Sequence, residues 1–272
     1  MPEPSGARGA AQPDSPGFYD RHWSTVQTAT DPHIADKGEL ILRMVPPDVR
    51  TVVDVGCGDG FLTHLLATRF DVLAVDRSAV ALSRVKVRTI QASADELPLE
   101  DRSTDLAFSS EVLEHLPDGV YERATAELAR ISRRYVLVTV PNRENLRRRY
   151  ARCPRCRLEF HVDGHLRAFD VATLDALFPE FRRVALEYSG AMEPPTFAPI
   201  ELVRQRIAQR WWVWQGESLV CPGCDYDGVR PARRSASHRL VDRTLETVTR
   251  GLGRLLRRSE RPYWLLALYR RR

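Results

Sequence analysis

The 272-residue sequence predicts an α/β fold: an open, mostly parallel sheet of seven strands, covered by helices on both faces and completed by an antiparallel C-terminal strand. Three observations predict it. Short β-branched runs alternate with amphipathic helical stretches, the first run ends in a glycine-rich turn that opens a helix, and the chain finishes in the apolar, aromatic run PYWLLALYRRR. A hydrophobic content of 43% with 28% charged residues suits one soluble core, and no stretch reaches the ~20 uncharged apolar residues of a membrane span.

The elements follow in order. Residues 1–17, rich in Pro, Gly and Ala, lack the apolar centre of an export signal and read as a disordered lead, so a cytoplasmic protein is expected. Strands are expected at 51–56, 72–76, 87–92, 105–110 and 135–141, with helices at 61–69, 78–85 and 118–133 between them. Val120, Ala124, Leu128 and Ile131 mark the apolar face of the last helix, and Ser78 and Asp118 are the expected N-caps. Beyond 141 the pattern breaks into NRENLRRRYARCPRC, then resumes as a helix over 170–178 and a strand over 183–188. The rest reads as a long irregular insertion with WWVW at 211–214, followed by an Arg-rich stretch, 238–258, with helical spacing of Leu240, Leu245, Val248, Leu252 and Leu255. The terminus reads either as an amphipathic membrane anchor or, preferred because it is short and aromatic, as a strand covering the sheet edge formed by residues 184–188. The implied organisation is a lead (1–17), a cofactor-binding core (18–150), a first cysteine insertion (151–165), a core helix and strand (166–190), a second cysteine- and Arg-rich insertion (191–261) and the terminal strand (262–272).

The run VVDVGCGDG sets Asp54, Gly56, Gly58 and Gly60 between the first strand and its helix. Glycines there let the backbone turn sharply and approach a ligand, while N–H groups at the helix start face it. The spacing is G-x-G-x-G, not G-x-G-x-x-G, which argues against a dinucleotide pyrophosphate. Asp76 ends the second strand, 22 residues after Asp54, where a carboxylate accepts hydrogen bonds from both hydroxyls of a ribose.

Together with ASADELPLEDRSTDLAFSSEVLEHLPD, these motifs resemble the class I, Rossmann-like S-adenosylmethionine-dependent methyltransferase family over residues 50–141. The resemblance implies S-adenosyl-L-methionine as cofactor and S-adenosyl-L-homocysteine as product. It implies Asp54, Gly56, Cys57 and Gly58 around the methionine end, with Cys57 a small packing residue, and Asp76 beside Arg77 at the ribose. Ser93, Ala94 and Asp95 would flank the adenine, and Ser109 the methionine amine; Ser93 stands where many members carry Asp, a part that Asp95 is expected to take. FYDRHW at 18–23 resembles the aromatic N-terminal helix of the family, so Tyr19 either covers the cofactor or, with Trp23, packs that helix down.

Four of the five cysteines form the C-P-x-C pairs Cys153/Cys156 and Cys221/Cys224. One such pair is equally a redox motif, but two of them, neither opening a helix, favour a closed Cys₄ zinc site, hence a structural Zn²⁺. The first pair follows the fifth strand and the second lies in the connection leaving the sixth, so both emerge at the carboxyl edge of the sheet, where the ligand of such a fold sits. A zinc-binding insertion beside the acceptor pocket is therefore expected, with a Cys/His set drawing on His161 and His165 as the alternative.

Methyl transfer to a hydroxyl wants a base near neutral pKa, and His165, His115 and His161 lie on loops of that edge. GHLRAFD resembles a segment of many small-molecule methyltransferases, which puts His165 first; capping or a backbone bond is the alternative role. Glu111, Glu114 and His115 resemble an E-x-x-E-H cluster that binds a divalent ion in some quinone O-methyltransferases. Residues 201–272 hold 16 Arg and 7 acidic residues, a net of +9, a basic face that suits an anionic partner or solvent alike. A small-molecule acceptor and O-methylation are expected, ahead of an RNA methyltransferase using the arginines, tryptophans and zinc knuckles, or a cofactor-binding protein without methyl transfer.

Overall fold

A computed structural model describes residues 20, 23–24, 28, 32–212, 219–224, 226–229, 234–256 and 259–272. Strands β1 (Thr51–Val55), β2 (Asp71–Asp76), β3 (Arg88–Gln91), β4 (Thr104–Ser110) and β5 (Ser132–Pro141) form where the β-branched runs lie. They pair in parallel in the order β3-β2-β1-β4-β5. Their side chains alternate between two cores: Val53, Ala107, Val136 and Val138 face one, Val52, Leu106, Phe108 and Leu137 the other. Helices α1 (Ile34–Met44) and α2 (Phe61–Leu66) lie on the second face. The first carries α4 (Asp118–Ile131) and α5 (Val171–Leu177), and the short α3 (Ala79–Leu82) links β2 to β3.

Helix α1 was not expected. Its buried residues Ile34, Lys37, Gly38, Ile41 and Leu42 have helical spacing, but a lysine and a glycine interrupt the apolar stripe. Of the expected caps, Ser78 accepts from the Ala81 amide, whereas Asp118 is the first residue of α4 with Pro117 in the cap position. Proline lacks an N–H and ends the helix backwards, leaving Asp118 to act from the first turn.

Strand β8 (Phe181–Glu193) runs on past residue 190, and β11 (Arg261–Arg271) pairs antiparallel with both β5 and β8. The full order is β3-β2-β1-β4-β5-β11-β8. The terminal run is the expected antiparallel strand and pairs with residues 185–188, but it does so from inside the sheet, between β5 and β8, so that β8 forms the edge with Val184 and Tyr188 exposed. The reason is its patterning. Leu265, Ala267 and Tyr269 enter one core while Leu266 and Leu268 enter the other, so β11 is apolar on both faces, as an interior strand must be.

The two C-P-x-C pairs cap small antiparallel hairpins, β6 (Tyr150–Arg152) with β7 (Glu159–His161), and β9 (Leu219–Val220) with β10 (Asp227–Val229). The stretch read as irregular holds helix α6 (Ala198–Arg206), and the Arg-rich stretch forms α7 (Ala236–Leu255), opened by a Ser235/His238 capping box.

Candidate active site

The chain reverses its winding direction between β1 and β4, which opens a crevice at their carboxyl ends. Gly56, Gly58 and Gly60 follow β1 with φ of 77°, 54° and 79°, a left-handed backbone that side chains resist. A Cβ at Gly56 would collide with Val112, and one at Gly58 with the ring of Trp23, so Trp23 lies against this loop. Tyr19 lies outside the described residues.

The Gly56 and Cys57 amides donate to the Val75 carbonyl (2.7 and 3.1 Å), and Gly58 N–H donates to Asp76 Oδ2 at 2.9 Å. Asp76 Oδ1 accepts from the Ser78 amide at 2.8 Å. The Asp76 carboxylate is thus fixed at the tip of β2 with lone pairs to spare; burial raises its pKa, and the backbone donors hold it back. Asp54 is buried beneath the loop and accepts from Thr63 Oγ1 at 2.6 Å, tying β1 to α2. Burial, countered by Thr63 and reinforced by the charge of Asp76, pushes it up to about 7. Burial also raises the Cys57 thiol, leaving it an inert packing group.

The remaining expected cofactor residues fall along the same edge. Arg77 offers its carbonyl to Gln91 Nε2 at 3.1 Å, and the Ala92 amide donates to the Asp76 carbonyl. Ser93 donates to Asp95, whose other oxygen takes Arg123 Nη2 at 2.5 Å. Against the cost of burial, these two partners hold the Asp95 carboxyl below its ordinary range. Ala94 packs on the core. Ser109 is buried and donates to the Val55 carbonyl at 2.9 Å, locking β4 to β1.

The three histidines converge. The segment after β7 is stitched to the turn at Leu113–His115: Leu166 N–H donates to the Glu114 carbonyl at 2.7 Å, and Arg167 donates to the Leu113 and Leu116 carbonyls and to Asp118. The His165 ring stacks on His161 with centroids 4.6 Å apart and meets His115 edge-on at 4.8 Å. His165 Nδ1 lies 2.5 Å from Glu144 Oε2, and His161 Nε2 3.3 Å from Glu144 Oε1. Burial would lower His165, but Glu144 and then Glu114 overcome it and push it up to about 9, while both histidines hold Glu144 well below the carboxylate range despite its burial. Glu114 is fully buried with neither carboxyl oxygen hydrogen-bonded among the described residues; burial and the nearby Glu111 push it up to about 8.

The E-x-x-E-H set is not assembled. Glu111, at φ 55°, turns to the other face and accepts from Lys37 Nζ (3.1 Å), Thr139 Oγ1 (3.1 Å) and Trp264 Nε1 (2.9 Å). Lys37 is fully buried and sits 4.2 Å from the Trp264 ring. Neither Lys37 nor Glu144 was marked by any motif. The signal for Lys37 was composition: it is one of two lysines in a chain that otherwise uses arginine, and a compact ammonium fits where a guanidinium fork does not.

The four paired cysteines form a second centre. Cys153 Sγ lies 3.7 Å from Cys224 Sγ and Cys156 Sγ 3.5 Å from Cys221 Sγ, all four within 4.8 Å of one another. These are free thiols too far apart for disulfides. Zn–S bonds of about 2.3 Å make a tetrahedron with edges of about 3.8 Å, so the donor set and its spacing fit zinc. The histidines turn to Glu144 instead, which removes the Cys/His alternative.

The methyltransferase-domain family model matches residues 53–138, from β1 through the Leu113–His115 turn into β5. A Mycobacterium tuberculosis protein named a probable S-adenosylmethionine-dependent methyltransferase is 37% identical over 102 residues, 35% of this chain and 36% of its own length. Trans-aconitate 2-methyltransferase of Variovorax paradoxus is 34% identical over 88 residues, 29% of this chain and 34% of its own. The chain thus spans about a third of the length of these curated relatives. Among solved structures, an Archaeoglobus fulgidus SAM-dependent methyltransferase superposes with a TM-score of 0.52 at 15% identity, over 87% of this chain and 94% of that one. Burkholderia thailandensis 1,6-didemethyltoxoflavin-N1-methyltransferase, solved with 1,6-didemethyltoxoflavin and S-adenosylhomocysteine, gives 0.53 at 15%, over 100% and 93%. At such identities these two show the fold. Over residues 53–138, which hold the glycine loop and the Asp76 strand, the chain carries a methyltransferase domain, set in a sheet of Rossmann-like strand order.

Proposed function

We propose that the protein transfers a methyl group from S-adenosylmethionine to a hydroxyl of a small-molecule acceptor, such as a sugar or a natural-product intermediate, in a cytoplasmic setting that keeps its thiols reduced. The observation that carries the reading is the left-handed glycine turn closing onto Asp76 at the switch point of the sheet. Asp76 would grip the ribose hydroxyls, the loop amides and buried Asp54 the methionine end, and Ser93 to Asp95 the adenine, with Trp23 as cover. Asp54, a buried carboxylate with no ion pair among the described residues, suits a ligand that brings positive charge of its own. When bound, the cofactor supplies an electrophilic methyl carbon for in-line displacement.

The chain's own part is to position the acceptor and take its proton. His165 is the proposed base, oriented by Glu144 as a carboxylate orients a catalytic imidazole, with His115 and His161 packed on either side. Because Glu144 keeps His165 protonated at neutral pH, the ring must lose that proton before it accepts another. The Cys₄ cluster would hold zinc with no open position, a structural role that pins two insertions beside the acceptor. That the toxoflavin and trans-aconitate enzymes bear small-molecule names supports the choice of acceptor class.

Titration calorimetry with S-adenosylhomocysteine tests the cofactor site. Wild type should bind, and Asp76→Ala should lose roughly 100-fold or more, two charge-assisted bonds being removed. Unchanged affinity in Asp76→Ala overturns the reading. Labelled methyl transfer into extracted metabolites and into RNA, with the product atom read by mass spectrometry, tests the acceptor.

A further inference from the structure

Helices α6 and α7 are packed inside out. Their buried residues are polar or small: Glu201, Arg204 and Gln205 on α6, Asp242, Thr249 and Gly253 on α7. Asp242 anchors the pair, taking Arg204 Nε at 2.7 Å, Arg234 Nη1 at 2.9 Å and Arg210 Nη1 at 3.5 Å. Several apolar residues point outward, and Val241, Leu245 and Leu252 are half-buried. Leu240 is 67% exposed, Leu255 77%, Leu256 54% and Val248 45%, with Ile207, just past α6, at 56%.

At about 100° per residue, Leu240, Val241, Leu245, Val248, Leu252 and Leu255 sweep a continuous arc of roughly 140° on α7. The buried strip of Asp242, Thr249 and Gly253 occupies a narrow band beside that arc. Arg239, Arg243, Arg250 and Arg254, all exposed, stack in a row of roughly 60° along its other border. Glu246 is the one acidic residue of α7 besides Asp242, and it pairs with Arg250 at 2.6 Å.

We propose that this face docks the protein on an anionic lipid bilayer, with α7 lying in the interfacial plane, its aliphatic arc among the acyl chains and its arginine row at the phosphates. Three features choose that occupant. The arc and the bordering cations together match an interfacial helix, and the net +9 of residues 201–272 complements a negative surface. A second copy of the chain is disfavoured, because a two-fold contact would set one arginine row against another. RNA is disfavoured because α7 carries no Phe, Tyr or Trp on which a base could stack. Docking of this kind is peripheral, in keeping with the absence, among the described residues, of any helix long and apolar enough to cross a membrane. Since Gln205 of α6 donates to the Arg147 carbonyl in the loop after β5, the docked face belongs to the same carboxyl side of the sheet as the histidine cluster.

Co-sedimentation of the full chain with phosphatidylcholine vesicles, with and without phosphatidylglycerol, tests this. Wild type should partition to the anionic vesicles. The double variant Leu240→Ser/Leu255→Ser should lose on the order of tenfold or more, and Arg239→Gln/Arg243→Gln/Arg254→Gln roughly 100-fold on anionic vesicles in low salt. S-adenosylhomocysteine affinity should be the same in all three proteins, which separates docking from folding and from the cofactor site. No partition of wild type to anionic vesicles overturns the proposal. So does tighter binding to single-stranded RNA that ignores the leucine changes, or a dimer in ultracentrifugation that the leucine changes dissolve.

Discussion

The parallel half of the sheet and the C-terminal helix pair solve burial in opposite ways. Between β1 and β5 the interior is mostly Val, Leu, Ile and Phe, and the buried carboxylates sit towards the strand ends, Asp54 and Asp76 at the carboxyl edge and Asp105 at the amino edge. In α6 and α7 the interior is an ion-pair cluster around Asp242, and the leucines face out. Apolar burial stabilises a fold at roughly 25 cal/mol per Å², whereas buried ion pairs roughly break even against their desolvation. The first region is therefore self-sufficient, and the second leans on the proposed zinc on one side and a lipid surface on the other.

The comparison breaks most visibly at the metal. Structural zinc sites are worth about 10–16 kcal/mol in isolated peptides. Chelation, or Cys221→Ser, should remove about one zinc per chain and speed limited proteolysis between residues 194 and 256 by orders of magnitude. Far-UV circular dichroism of the parallel sheet should persist. A protein with no bound metal, or one whose proteolysis is unmoved, would show that the second region stands alone.

A smaller effect sharpens the contrast. Leu137 is fully buried on β5, and Leu137→Ala should cost about 2–5 kcal/mol in urea unfolding. Leu255→Ala, the same deletion on the exposed arc, should stay within about 0.5 kcal/mol. Equal costs would mean that the arc is covered within the chain itself.

The smallest effect concerns pH. The folded His165 titrates at about 9, above its ordinary 6.5, so its stabilisation is complete below 6.5 and is lost as pH climbs through 9. Glu144 is depressed from 4.5, so its share is present above 4.5 and is lost on acidification. Stability should therefore fall by roughly 1–3 kcal/mol between pH 6.5 and 9, and His165→Asn should flatten that slope. If His165 is the base, activity runs the other way, rising with pH towards a plateau above 9. A rate that falls over this range would remove His165 from the chemistry.

Both regions differed in how well they could be read from sequence. The β-branched runs, the glycine turn, Asp76 and the cysteine pairs were legible because each is local: a strand period, a turn requirement or a knuckle spacing specifies it. Helix α6 was not, since its inward face of Glu201, Arg204 and Gln205 leaves no apolar stripe to detect. The Glu144 and Lys37 networks were not, because their partners come from distant segments: His161 and His165 for one, Glu111 and, through it, Trp264 for the other. The place of β11 was half legible: PYWLLALYRRR announced a strand, but only the two-sided burial of Leu265 to Tyr269 fixed it inside the sheet.

That place imposes an order on biosynthesis. Strand β8 is made well before β11, yet reaches the sheet solely by hydrogen-bonding to it. On the ribosome, the Phe181–Glu193 segment must wait, unpaired, until Arg261–Arg271 emerges to slide between it and β5. The strand made later is the wedge that joins the earlier one to the rest of the sheet.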